Sequence, residues 1–148
     1  MVRKKWLLAA LLGGMVSVAA TQVFAQADVI EKRQKLMKSN SADNKAIKGA
    51  VESKDYATVE AKAKEIMGHA DQIVKLFPKG STEGETRAMA AIWEKPEEFA
   101  KDAKSLSAAA SALAAAAKAK DDDAIEKNAK AVNSACGSCH KAFRAPKN

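Results

Sequence analysis

Cys136, Cys139 and His140 are the residues of this 148-residue chain best placed to do chemistry, in the string Cys136-Gly137-Ser138-Cys139-His140. The pattern is C-x-x-C-H, the signature for covalent attachment of a c-type haem. Two thiols three apart on a helix can each reach one vinyl group of the same porphyrin, and the next histidine is then placed to bind the iron. These are the only two cysteines, and the chain has only one other histidine, His69. The competing chemistry is a redox dithiol. That use of C-x-x-C needs a helix N-terminus, usually after a strand, where the dipole lowers the thiol pKa. Here the pair falls late in a helical segment and no strand is evident.

Four amphipathic helices must position that string. The first is expected to start near Asp28 as N-cap, with Glu31 three residues later. Its inward stripe is Ile30, Arg33, Met37, Asn40, Asn44, Ile47 and Val51, and Asn40-Ser41 with Asn44 predicts a kink or short break in its middle. The second follows Asp55, carries Val59, Ala63, Ile66, Met67, Ala70, Ile73, Val74 and Phe77, and stops at Pro78. Residues 78–94 form a long loop. The third helix starts at Pro96, with Glu97 and Glu98 complementing its dipole, and repeats Phe99, Ala103, Leu106, Ala110, Leu113 and Ala117. Its alanine-rich stretch offers a slim face to a neighbour or a bulky cofactor. The fourth opens at Asp121-Asp122-Asp123, presents Ile125, Ala129, Val132, Cys136, Cys139, His140 and Phe143, and ends at Pro146. The fold expected is all-α: an antiparallel up-down-up-down four-helix bundle with one long loop between helices 2 and 3.

Residues 1–25 read as an export signal, with Arg3, Lys4 and Lys5 ahead of the apolar run Trp6–Ala20 and cleavage expected after Ala25 or Ala27. That run is too short to span a bilayer comfortably. The mature domain is then 26–148, exported to a bacterial periplasm, with no membrane attachment after cleavage. Three of the 25 basic residues and none of the 18 acidic ones lie in the signal, so the net charge falls from +7 to +4. An excess that modest, with no basic run interleaved with aromatics, does not support nucleic-acid binding, and no nucleic acid is expected as a partner. No acid–base pair or partnered nucleophile is visible, so an enzyme is not expected.

In the antiparallel bundle the end of the fourth helix lies beside the start of the first. Met37, roughly 13 Å up the first helix from Asp28, can approach the iron face opposite His140; as an inward methionine it can equally fill the core. Arg33, one turn earlier, is a charge on a core stripe and calls for an anion, for which a haem propionate is the natural partner. Arg144, four residues after His140 on the same helix face, either balances a propionate or lies in solvent. Trp93 either packs under the long loop or sits near the haem edge. His69, off the apolar stripe of its helix, is read as solvated rather than as a ligand.

The whole of residues 28 to 145 resembles the class II c-type cytochromes, the cytochrome c′ fold. The resemblance rests on C-x-x-C-H-x-x-F-R from Cys136 to Arg144, on Arg33, and on Ile92-Trp93 followed by Phe99. It implies one covalent haem c per chain, with Cys136 and Cys139 as attachment points, His140 and Met37 on the iron, and Arg33, Arg144 and Trp93 around the macrocycle. Cytochrome c′ proper usually has an apolar residue one turn after the first-helix arginine, leaving a five-coordinate iron that binds small gases. Here that residue is Met37, so the chain resembles the low-spin branch. The function expected is a periplasmic electron carrier with six-coordinate His/Met iron cycling between Fe(II) and Fe(III); the alternative is a five-coordinate protein binding nitric oxide or carbon monoxide. A haem subunit acting inside a larger complex is a third reading. Unidentified periplasmic redox proteins are the expected partners, and a homodimer is compatible. Lys35, Lys38 and Lys141 either steer an acidic partner or form ordinary solvated surface.

Overall fold

A computed structural model describes the backbone of residues 17–82 and 84–147, and side chains from Ala27 onward. The expected signal segment therefore falls largely outside the described residues. The elements are α1 (Ser17–Glu52), α2 (Tyr56–Ile73) extended by a 3-10 turn at Val74–Leu76, the short α3 (Ala91–Glu94), α4 (Pro96–Ala119) and α5 (Asp122–Phe143). No strand occurs among the described residues, apart from one isolated antiparallel bridge between Ala88 and Arg144. The third and fourth expected helices are α4 and α5; α3 is one turn inside the expected loop.

Local chemistry sets most boundaries. Asp55 caps α2 by accepting from the Thr58 amide, and Asp121 caps α5 by accepting from the Ala124 amide. Pro96 occupies the first turn of α4, where its missing N–H costs nothing. α4 ends on Lys120 in the left-handed conformation at φ 56°, and the Lys120 amide bonds back to the Ala116 and Ala117 carbonyls.

Two boundaries differ from expectation. Asp28 does not cap α1 but lies within it, because the preceding segment contains neither glycine nor proline to stop the helix. α5 ends at Phe143 rather than at Pro146. There the backbone leaves the helix to pair with the long loop: the Met89 amide bonds the Phe143 carbonyl at 3.0 Å, and the Ala145 amide bonds the Arg87 carbonyl at 2.8 Å.

The expected break near Asn40 is absent, and α1 runs through it. Its side-chain amides find partners on other helices instead of competing for the local backbone. Asn40 Oδ1 lies 2.8 Å from His69 Nδ1 of α2, and Asn44 Nδ2 donates to Asn133 Oδ1 of α5 at 2.7 Å. His69 is accordingly neither solvated nor a ligand; it is half-buried in a seam where Asp43 Oδ1 meets Lys62 Nζ at 3.2 Å.

The packing order is α1 on α2, α2 on α4, and α4 on α5, with α1 and α5 meeting only sparsely. Cross-helix pairs run in opposite directions throughout: Asn40 with His69 and Asp43 with Lys62, then Asp71 with Ser107 and Phe77 with Phe99, then Ala112 with Asn128 and Phe99 with Phe143. This is the antiparallel bundle expected. α4 lies between two neighbours, which explains its alanines. Ala103, Ala110, Ala114, Ala116 and Ala117 are all buried, and side chains this small let both flanking helices approach closely. The sparse α1–α5 seam is where space remains.

Candidate haem site

The seam holds a cavity of about 860 Å³, within the range of roughly 300–1,000 Å³ usual for ligand sites. α1 contributes Arg33, Gln34, Met37 and Lys38 to its wall, and the long loop contributes residues 85–88. Phe99 comes from α4, and Cys139, His140 and Phe143 come from α5. A smaller cavity of about 160 Å³ lies beside it and is bordered by Cys136. Met37, Ser41, Cys139 and His140 border both.

The end wall is aromatic. Phe77 and Phe99 meet edge to face with ring centroids 4.9 Å apart, and Phe99 and Phe143 repeat the contact at 5.2 Å. Each ring holds the next in place, so the wall is rigid and apolar. Phe99 and Phe143 are each 4% exposed.

The thiols are not those of a redox dithiol. They sit near the C-terminal end of α5, where the helix dipole opposes a thiolate. Burial pushes both upward, Cys139 to about 11, with Asp102 and Cys136 adding to it. An exchanging thiol needs the opposite shift. Burial, followed by the charge of Arg87, lowers the His140 pKa, which favours the neutral imidazole that iron ligation requires.

Arg33 is 3% exposed, and uncharged oxygens take three of its N–H groups. Its Nη1 donates to Ser81 Oγ at 3.0 Å, and its Nη2 donates to the Ser81 carbonyl at 2.9 Å and to Thr86 Oγ1 at 2.8 Å. The guanidinium lies 4.7 Å above the Phe77 ring. Arg33 thus anchors the long loop onto α1. Two of its five N–H groups remain for the cavity.

Arg144 is not on the helix face with His140. It follows the last turn in extended conformation, where its backbone bridges to Ala88, and its exposed side chain borders the large cavity. Trp93 borders neither cavity. Its indole N–H donates to the Phe77 and Pro78 carbonyls, which is the packed-under-the-loop arrangement. Lys38 borders the cavity, Lys35 pairs with Glu31 on the surface, and Lys141 is exposed beyond the rim. Reading the sequence missed Arg87 in the cavity wall; it lies in a loop, where no periodicity marks a face.

The residues present fit a haem. A cavity with an aromatic face has an imidazole and a thiol on its wall, and the second thiol borders the adjoining cavity. Among the described residues no group of three or more His, Cys, Asp or Glu side chains is placed to share a metal ion.

Comparison with known proteins agrees with this arrangement. The family profile described as Cytochrome C' matches residues 28–144. Cytochrome c′ of Rhodopseudomonas palustris is 32% identical over 143 residues, covering 94% of this chain and 97% of its own. Cytochrome c-556 of the same organism is also 32% identical over 143 residues, covering 90% and 94%. The crystal structure of cytochrome c′ from Thermochromatium tepidum aligns with a TM-score of 0.76 and 28% identity, over 82% of this chain and 97% of that one.

Proposed function

We propose, from the premise that this chain belongs to the cytochrome c′ family, that it is a periplasmic cytochrome whose iron is held by His140 on one face and left open on the other. The coarser part follows from the family: a haem-binding protein of electron-transfer type, with covalently bound haem c and its iron as cofactor. The observation that carries the reading is the placement of His140 and Cys139 on the wall of the α1–α5 cavity, with Cys136 on the adjoining one.

Each residue then has a defined task. Cys136 and Cys139 supply the two thioether sulfurs, and His140 supplies an imidazole nitrogen to the iron. Phe77, Phe99 and Phe143 exclude water from one end of the cavity. The bound group supplies one-electron Fe(II)/Fe(III) chemistry and, where a coordination position is open, a place for a small neutral molecule such as nitric oxide or carbon monoxide. Five-coordinate iron is the usual state in this family, which supports the open-face reading. Met37 then serves as core filling, in keeping with its partial burial against the core cluster.

One observation favours a second reading. Met37 borders both cavities together with Cys139 and His140, so its thioether is available as a sixth ligand. That arrangement favours Fe(II) and suits a simple electron carrier. Export rests on the charged and apolar N-terminal pattern; among the described residues no helix is long and apolar enough to cross a membrane.

Covalent attachment is tested by expressing the full chain with a c-type maturation system and staining a denaturing gel for haem. The wild type is expected to retain haem, and Cys136→Ala/Cys139→Ala to retain none. A wild-type chain free of covalent haem under conditions that load a known cytochrome sinks the proposal.

A further inference from the structure

Four cations border the large cavity, Arg33, Lys38, Arg87 and Arg144, against one acid, Glu85. A c-type haem keeps two carboxylates, and a carboxylate taken partly out of water needs a charged donor. The four cations are not equally available. Arg33 spends three N–H bonds on Ser81 and Thr86. Lys38 and Arg144 are exposed to solvent, where a flexible charge is screened and weakly held. Arg87 is half-buried, and its guanidinium has no hydrogen-bond or ion-pair partner among the described residues.

Its stretch of backbone is also braced from both sides. The Arg87 carbonyl accepts from the Ala145 amide at 2.8 Å, and the next residue, Ala88, bridges to Arg144. On the other side, Thr86 Oγ1 accepts from Arg33 and from the Ala88 amide. A buried arginine on α1 and the tail of α5 therefore clamp the loop residue whose guanidinium has no partner among the described residues.

We infer that Arg87 is the anion-holding residue of the cavity: it receives a haem carboxylate, and Arg33 acts through Thr86 and Ser81 as the positioning residue that aims it. This rests on the haem reading of the site. Arg87 and His140 border the same cavity, so the charge of Arg87 would add to the field at a haem iron held there and favour Fe(II). Losing it favours Fe(III), both directly and by leaving a carboxylate unneutralised.

The test is redox titration of the haem-loaded chain against a reference couple, comparing wild type with Arg87→Gln and Arg87→Lys, and with Lys38→Gln as an exposed-charge control. Arg87→Gln is expected to shift the one-electron equilibrium about tenfold toward Fe(III), that is about 59 mV. Arg87→Lys keeps most of the wild-type value, and Lys38→Gln changes it less than twofold. An Arg87→Gln protein with full haem content and an unshifted equilibrium overturns the inference. So does an Arg87→Lys protein as displaced as Arg87→Gln, since a retained charge then changes nothing. Failure of the wild-type chain to bind haem covalently is a different result and strikes the function proposed above, so the two failures are distinguishable.

Discussion

Replacing Arg33 by methionine keeps the apolar stem and removes the guanidinium that ties the loop to α1. Three hydrogen bonds of 2.8–3.0 Å are lost, but they do not weigh equally. Ser81 Oγ still donates to the Pro78 carbonyl at 2.8 Å, and Thr86 Oγ1 still accepts from the Ala88 amide at 3.1 Å. The Ser81 carbonyl is left without its partner, in a residue 1% exposed. An orphaned buried acceptor costs about 1–3 kcal/mol, and loss of the contact with Phe77 adds about 0.5–1 kcal/mol. Relief from burying a charge, seen in the burial-lowered pKa of Arg33, offsets part of this. The net loss is then about 2 kcal/mol, against a total stability on the order of 5–15 kcal/mol. At a urea slope of about 2 kcal/mol/M the midpoint falls by about 1 M. Urea unfolding of the haem-loaded chain, followed by helical circular dichroism, measures it. Amide exchange should quicken at Ser81, Thr82 and Thr86 while the amides of α2 stay protected. An Arg33→Met protein within about 0.5 kcal/mol of wild type, with loop exchange unchanged, refutes the anchoring role.

Three further perturbations have defined outcomes. Phe99→Ala, at the centre of the aromatic wall and 4% exposed, should cost about 3–5 kcal/mol in the same unfolding assay. Asn40→Ala gains about 0.5 kcal/mol of helix propensity, yet it should lower stability by about 1 kcal/mol, because the half-buried His69 loses its 2.8 Å partner; a stabilised variant would show that the contact is not formed in solution. Asp122, the first residue of α5, is joined to the α1–α2 turn through Lys54 and to the start of α2 through Tyr56, and hydrogen bonds from Lys54 and then Tyr56 hold its pKa below 3.8. Its contribution is present above pH 3.8 and is lost as pH falls through the lower folded-state value. Lys54, raised above 10.5 chiefly by the same hydrogen bond, contributes below pH 10.5 and loses that contribution as pH rises through its folded value. Asp122→Asn should therefore flatten both edges of the stability–pH profile, measured by thermal unfolding from pH 2 to 12.

Features decided within a few residues were legible in the sequence. Asp55 and Asp121 cap helices through amides three residues away, Pro96 opens α4 by its own covalent geometry, and the C-x-x-C-H string carries its chemistry in its spacing. The apolar stripes of α2 and α4 were read almost as they pack. What the local pattern did not record was decided at long range. Arg33 was correctly placed on the inner face, but its partners are 48 and 53 residues away in a loop without periodicity. α5 stops at Phe143 because its backbone finds Met89 and Arg87, which no pattern around Pro146 records. The break expected at Asn40 assumed that polar side chains turn on their own helix, whereas His69 and Asn133 draw them outward. Leu36 and Asp43 are buried beyond the stripe assigned to α1. A helix that packs against α2 and also faces a loop and α5 buries more than one row of side chains.

The measurement that bears most directly on the function is the spin state of the ferric, haem-loaded chain at neutral pH, read by absorption and electron spin resonance in wild type and in Met37→Ala. Iron held by His140 alone predicts a high-spin signal in the wild type that Met37→Ala leaves unchanged. A low-spin wild type that becomes high-spin in Met37→Ala contradicts the open face and assigns the sixth position to Met37.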